Sequence, residues 1–152
     1  MAAPNPVFQS ESERIHRDHQ ELMNELTALD LALEHMGTGA GDMTDTHSVV
    51  KARAITLAMS RRLPELFMRE ESTLYKTVAG VSHELSLFAE EMKREHITLF
   101  AMVNCFCVAL DELANATNLQ AALVNMKELG MDVSRMLRHH ITAEEHELQG
   151  FL

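Results

Sequence analysis

Long stretches of this chain repeat apolar residues every three or four positions, and glycine or proline marks the gaps between the stretches. The stretches are rich in Ala, Leu, Met, Glu, Lys and Arg and have few β-branched runs, a composition that favours helix. Helices are expected over about residues 10–35, 44–78, 82–115 and 118–149. Because the connections are short, consecutive helices must pack as antiparallel neighbours. The sequence predicts an all-α fold, an up-down-up-down antiparallel four-helix bundle.

The first helix is expected to begin near Ser10 or Ser12, where Ser10-Glu11-Ser12-Glu13 fits a capping box. Residues 1–9 would then form a disordered or extended segment, and residues 10–152 the bundle. At 152 residues the chain has the length of one domain, large enough to fold without a disulfide.

The glycine and proline positions also predict where the helices are interrupted, kinked or closely packed. Gly37, Gly39 and Gly41 predict a linker between the first two helices. Pro64 falls inside the second helix and should kink it, because its ring removes a backbone hydrogen bond. Gly130 falls inside the fourth helix and predicts close packing or a bend there.

The net charge of the chain limits the kinds of molecule that it is expected to bind. The chain carries 23 acidic and 13 basic residues, a net charge of −10, and no basic cluster is longer than Arg61-Arg62. Nucleic-acid binding needs a basic patch, so the charge balance argues against it and suits cation binding instead.

Cys105 and Cys107 lie about 200° apart on a helix and are expected to be reduced and mostly buried. With no leader and no apolar run of about 18 residues, a soluble cytoplasmic protein without membrane contact is expected.

Nine histidines are many for a chain of this size, and one of them begins a metal-ligand pattern. His140 and Glu144 lie one turn apart on one helix face, and an imidazole and a carboxylate that both point inward suit a divalent metal. The same spacing also occurs on solvated helix faces. The two halves of the chain repeat each other: His19 matches His96 with an offset of 77 residues, and Glu70 matches Glu144 with an offset of 74. The repeat predicts a two-metal site in the bundle core.

The chain resembles the hemerythrin-like (HHE cation-binding) family from about Glu13 to Leu148. The pattern of that family is one His on each of the first and third helices and a His-x-x-x-Glu motif on each of the second and fourth. The resemblance implies two non-haem irons with an oxo or hydroxo bridge, with Mn or Zn as substitutes, and chemistry with O₂, NO, peroxide or iron itself. Glu70 and Glu144 would be the bridging carboxylates. Carried over by position, the resemblance assigns His19, Glu70, His96, His140 and Glu144 as metal ligands.

The second helix departs from the family pattern, because Leu66 stands where the first His of the motif belongs. Glu65 is our predicted replacement, with His16 and solvent as the alternatives. An anionic ligand in place of a neutral one should stabilise ferric iron. This favours oxidation, sensing or iron handling over reversible O₂ carriage.

Three functions remain open from the sequence. The first is a non-haem di-iron module that binds a diatomic gas or peroxide for sensing or detoxification. The second is a di-iron enzyme with ferroxidase or peroxidase-like activity, so whether the chain is an enzyme is undecided. The third is a metal-free helical bundle for protein interaction. Assembly as a homodimer is also left open.

Overall fold

The computed structural model describes residues 5–36 and 46–152, and every regular element within these ranges is helical. Residues 46–79 form one run of helical turns without a break, which is called the second bundle helix. The predicted glycine linker and the predicted start of this helix at Thr44 or Asp45 lie outside the described residues. The elements are α1 (Pro6–His35), α2 (Thr46–Arg69), a π-helical turn (Glu70–Leu74), α3 (Tyr75–Ala79), α4 (His83–Glu112), a 3-10 turn (Leu113–Asn115) and α5 (Leu119–Glu147).

The four bundle helices pack as the connections predict. α1 packs against the second bundle helix and α5, and α4 packs against the same two partners. Consecutive helices are therefore neighbours around the bundle, and the predicted up-down-up-down four-helix bundle is confirmed. Each helix buries one apolar stripe, which contributes its share of the core at about 25 cal/mol per Å² of apolar surface removed from water. The stripe of α1 consists of the fully or almost fully buried Ile15, Leu22, Leu26, Leu29 and Leu33.

The start of α1 differs from the prediction. The helix begins at Pro6, so the capping box at Ser10 and the disordered or extended segment up to residue 9 are wrong for the residues that the structure describes. Proline is favourable at the first helical position because an N–H there would have no intrahelical acceptor. The side chain of Asn5 caps the helix by accepting a hydrogen bond from the Val7 N–H at 3.0 Å. Ser12 is buried inside the helix instead.

The π-helical turn was not expected from the sequence. The N–H of Tyr75 donates to the carbonyl of Glu70, five residues earlier, which is the bond that defines a π turn. Residues five apart therefore share a face here, whereas an α-helix would place them about 140° apart. The Thr73 hydroxyl donates to the Arg69 carbonyl at 2.6 Å inside the turn. Pro64 lies within α2 as expected, and the kink there stays a prediction.

α5 begins and ends close to its predicted bounds, and its central glycine marks close packing. The Asn118 side chain caps the helix by accepting from the Ala121 N–H at 3.1 Å. A Cβ on Gly130 would lie 2.8 Å from both Leu33 Cδ1 and Phe106 Cε2, closer than carbon atoms normally approach. The predicted close packing is therefore confirmed, since any larger side chain would displace the side chain of Leu33 or Phe106.

α4 contains a strongly apolar stretch. By length and mean hydropathy, 1.7 over its best window, the helix from His83 to Asn115 is apolar enough to cross a membrane. Its buried stripe packs in the bundle, and the core helices of bundles are commonly this long and apolar.

Both cysteines of α4 are free, but Cys105 is exposed and Cys107 half-buried, so the expectation that they are mostly buried is wrong. Phe106 between them takes the inward position.

Candidate metal centre

Five of the predicted ligands meet in the middle of the bundle and are called the buried His/Glu group. Every bundle helix contributes to it: α1, the π turn and α4 provide one residue each, and α5 provides two. All five side chains are at most 1% exposed, although charged and polar groups are rarely buried without partners. The members are His19, Glu70, His96, His140 and Glu144.

The imidazole Nε2 atoms point at the carboxylates. The Nε2 of His19 lies 2.9 Å from Glu70 Oε1 and 3.1 Å from Glu144 Oε2, and the Nε2 of His96 lies 3.0 Å from Glu70 Oε2. The Nε2 of His140 lies 3.4 Å from Glu144 Oε1 and 3.2 Å from the Nε2 of His96. One potential ligand atom from each of Glu70, His96, His140 and Glu144 falls within 4.8 Å of all the others. A single ion could contact all four.

The Nδ1 of each histidine in the group is hydrogen-bonded to a carboxylate that lies outside the group. Because each Nδ1–H donates to a carboxylate, the ring orientation is set and the Nε2 lone pair is left for a metal. Such carboxylate–histidine pairs commonly surround metal ions in proteins and raise the basicity of the ligand. The three pairs are His19 with Glu145 at 2.7 Å, His96 with Glu71 at 2.6 Å, and His140 with Glu95 at 2.7 Å.

The carboxylates of the group are short of hydrogen bonds. Glu70 Oε2 and Glu144 Oε2 are buried and accept none. An imidazole nitrogen lies about 3 Å from each, but no N–H is directed along those lines. Unpaired buried carboxylate oxygens are costly. A cation placed among the Nε2 atoms would satisfy both oxygens, so the residues present fit a metal ion.

Without a metal, protons balance the charge of the group. Burial by itself would lower the pKa of His19 and of His140, but the neighbouring carboxylates outweigh burial. The pKa of His19 lies well above 6.5, and that of His140 is raised to about 9. Burial would raise the pKa of Glu144, yet its close contacts with the His140 and His19 imidazoles lower it well below its usual range. A metal ion would take the place of these imidazole protons.

Tyr75 touches the group and was missed in the sequence. It is 1% exposed; its hydroxyl donates to Glu144 Oε1 and lies 3.1 Å from the Nε2 of His96. Burial and the charges of Glu70 and Glu144 raise the pKa of the phenol far above its ordinary value. The π turn brings Tyr75 to the same face as Glu70, and an α-helical period of 3.6 residues could not have predicted this position.

Phe67 forms an apolar wall beside two of the histidines. Its ring stacks on His96 with centroids 3.8 Å apart and planes 8° apart, and it meets His140 edge-on at 5.8 Å. The stacking holds the plane of the His96 imidazole against an apolar ring.

The Glu65 prediction is wrong. Glu65 is exposed, while Leu66 beside it is 1% exposed and faces the core. The chain stays α-helical up to Arg69, so a residue five positions before Glu70 points about 140° away from it. His16, the other candidate, is about half-exposed and lies outside the group, where its Nδ1 contacts Glu145 at 3.0 Å. Neither residue replaces the missing histidine.

The family model of the hemerythrin HHE cation binding domain matches residues 10–152 of the chain. Comparison with curated proteins finds no significant match. The matched range contains the whole buried His/Glu group.

Proposed function

Since this chain belongs to the hemerythrin HHE cation-binding domain family, we propose that it binds a pair of non-haem irons in the buried His/Glu group and that the loaded protein binds or reacts with O₂, NO or peroxide. The observation that carries the proposal is the convergence of three imidazole Nε2 atoms on two buried carboxylates whose outer oxygens accept no hydrogen bond. A bundle used only for protein interaction would have no need of such a group, because apolar side chains would fill the same space at lower cost.

The donor set supports iron over structural zinc. The group contains nitrogen and oxygen donors and no thiolate, and neither Cys105 nor Cys107 belongs to it. Structural zinc sites are closed tetrahedra that favour thiolate, whereas iron and manganese accept mixed imidazole and carboxylate ligands and keep open positions. A bound iron with an open coordination position would provide a binding site for small oxidants or gases.

The two halves of the group are unequal. His96 and His140 lie 3.2 Å apart and share both carboxylates, so one metal position has two imidazoles. His19 approaches the same carboxylates alone, and buried Leu66 provides no donor. We expect the first iron to bind tightly between His96 and His140 and the second to bind more weakly beside His19. The second position would keep more coordination sites for solvent or a small ligand.

A cleft on the surface lies beside His19. It has a volume of about 530 Å³ and is lined by His16, His19, Gln20 and Glu145 among others. Glu145 connects the two histidines, contacting His19 Nδ1 at 2.7 Å and His16 Nδ1 at 3.0 Å. His19 is 1% exposed, and its Nε2 faces the carboxylates of the group. A diatomic molecule or peroxide in the cleft would have to pass His19 and Glu145 to reach the second iron.

An anaerobic titration with ferrous iron tests the binding part of this proposal. We expect two binding steps of different affinity, and near-ultraviolet absorption after exposure to air. Glu144→Ala should lower the iron content toward one per chain or none, because the carboxylate contacts both halves. Glu65→Ala, at an exposed position on the same bundle, is the matched control and should retain wild-type iron content. Equal iron content in the two variants would refute the assignment of the site.

Stopped-flow mixing of the reduced, iron-loaded protein tests the reactivity part. We expect rapid spectral change with O₂ or peroxide, or formation of an NO adduct. Turnover of excess ferrous iron would instead favour a ferroxidase. If loaded iron shows no response to any of the three molecules, the reactivity is wrong while metal binding stands.

A further inference from the structure

Tyr75 has the position of a metal ligand rather than that of a core tyrosine. Its side chain is 1% exposed, and both neighbours of its hydroxyl belong to the buried His/Glu group: it donates to Glu144 and lies 3.1 Å from the Nε2 of His96. We propose that Tyr75 is a ligand, through its phenolate oxygen, of the ferric iron held by His96 and His140. This inference rests on the proposed iron binding and adds a ligand to it.

The position follows from the local backbone. The π turn, a rare structure in proteins, is what lets Glu70 and Tyr75 occupy the same face of the second bundle helix. π turns inside helices are frequent at functional sites. With Glu70 as a ligand, Tyr75 is the residue that the π turn places on the same face one turn later. An α-helix with the same sequence would direct this phenol away from the group.

The surroundings of the hydroxyl also suit a ligand. The Tyr75 ring lies 5.6 Å from the His96 ring with planes 22° apart, so the two side chains approach the same point side by side. His140 reaches that point from α5, with its Nε2 3.2 Å from the Nε2 of His96. Two imidazole nitrogens, one phenol oxygen and carboxylate oxygens would together surround one ion. Ferric iron, a hard cation, favours anionic oxygen donors of this kind.

The binding step is a ligand exchange without electron transfer. The phenol O–H bond breaks, the oxygen binds the ferric ion in place of a water molecule, and the proton leaves to solvent. The hydrogen bond to Glu144 is lost in the same step, which frees Glu144 Oε1 for a metal. The iron stays ferric throughout.

The composition of the chain allows a phenolate signal to be assigned to a single residue. Tyr75 is the only tyrosine, and the chain has no tryptophan. Ferric phenolate complexes have a visible charge-transfer band, and resonance Raman excitation into that band enhances phenolate ring vibrations. Histidine and carboxylate ligands give no such vibrations. Any tyrosinate signal from the iron-loaded protein must therefore come from Tyr75.

The experiment compares wild type with Tyr75→Phe, both saturated with iron and oxidised, with iron content measured on the same samples. We expect the visible band and the phenolate vibrations in wild type and their complete loss in Tyr75→Phe, with iron still bound through the remaining ligands. Phe106→Leu, which changes a fully buried aromatic residue outside the buried His/Glu group, is the matched control and should retain the phenolate vibrations.

The outcomes separate this inference from the proposed function. Wild-type protein that binds iron and absorbs in the near ultraviolet, but has no phenolate vibrations, would overturn the Tyr75 assignment and leave the iron centre standing. Survival of the visible band in Tyr75→Phe would overturn it equally. Wild-type protein that binds no iron would overturn both proposals.

Discussion

Raising the pH of the metal-free protein from 6.5 to 9 should destabilise it. In the folded chain the pKa of His140 is raised to about 9, against 6.5 for an ordinary histidine. The folded state therefore binds this proton more tightly than the unfolded state does. Its stabilising effect is complete below pH 6.5 and is lost as the pH rises through about 9. A difference of this size corresponds to about 3 kcal/mol.

The carboxylates that face His140 come from three elements. Glu144 lies on the same helix, Glu70 on the π turn and Glu95 on α4, and all three raise the pKa of His140. The attraction between His140 and Glu144 also lowers the pKa of Glu144, so that part of the stabilisation is lost as the pH falls below 4.5. His19 has a raised pKa as well and acts in the same direction as His140. The metal-free protein should be most stable between about pH 4.5 and 6.5.

Thermal unfolding in the presence of a chelator, followed by circular dichroism, measures the effect. A loss of about 3 kcal/mol should lower the Tm by roughly 6 to 12 °C between pH 6.5 and 9. The iron-loaded protein should lose much less, because metal has replaced the protons. His140→Gln should flatten the dependence, whereas the exposed His139→Gln should leave it unchanged. A chelated wild type with the same Tm at both pH values would refute the charge balance described here.

Three further changes test the packing, the outer carboxylates and the missing ligand. Gly130→Ala should lower the free energy of unfolding by about 1–2 kcal/mol in urea titration, because the clash with Phe106 outweighs the gain in helix propensity; an increase would mean that the contact relaxes freely. Glu95→Gln should weaken metal binding by about 10- to 100-fold in competition with a chelator, since it holds His140; unchanged affinity would show that this partner does not matter. Leu66→His should raise the iron content per chain by restoring the family ligand, and no rise in metal analysis would count against that role.

The helices and most of the buried group could be predicted from the sequence because they depend on regular repetition. Apolar spacing of three and four residues is itself the signal of a buried helix face. The internal repeat aligned Glu70 with Glu144 and His19 with His96, and the structure buries all four. Helical geometry was enough for these positions, since each pattern describes a single face.

The rest of the site depends on departures from that regularity. Tyr75 could not be placed because the π turn adds a residue to one turn, and no apolar period reports it. Glu65 has the chemistry of a ligand and lies next to Leu66, but five residues of α-helix direct it outward. The carboxylates that hold the histidines lie on other helices, so their pairing depends on tertiary packing. Glu71 and Glu145 could have been suspected, because each directly follows a predicted bridging glutamate.

The outer carboxylates also join the four helices in a closed ring at a single level. Glu145 of α5 holds His19 of α1, Glu95 of α4 holds His140 of α5, and Glu71 of the π turn holds His96 of α4. The contact between His19 and Glu70 closes the ring. Apolar stripes alone would let a helix slide by one turn or exchange neighbours at little cost. Here either change would leave buried charges without partners, so this polar layer selects one alignment of the bundle even before a metal binds.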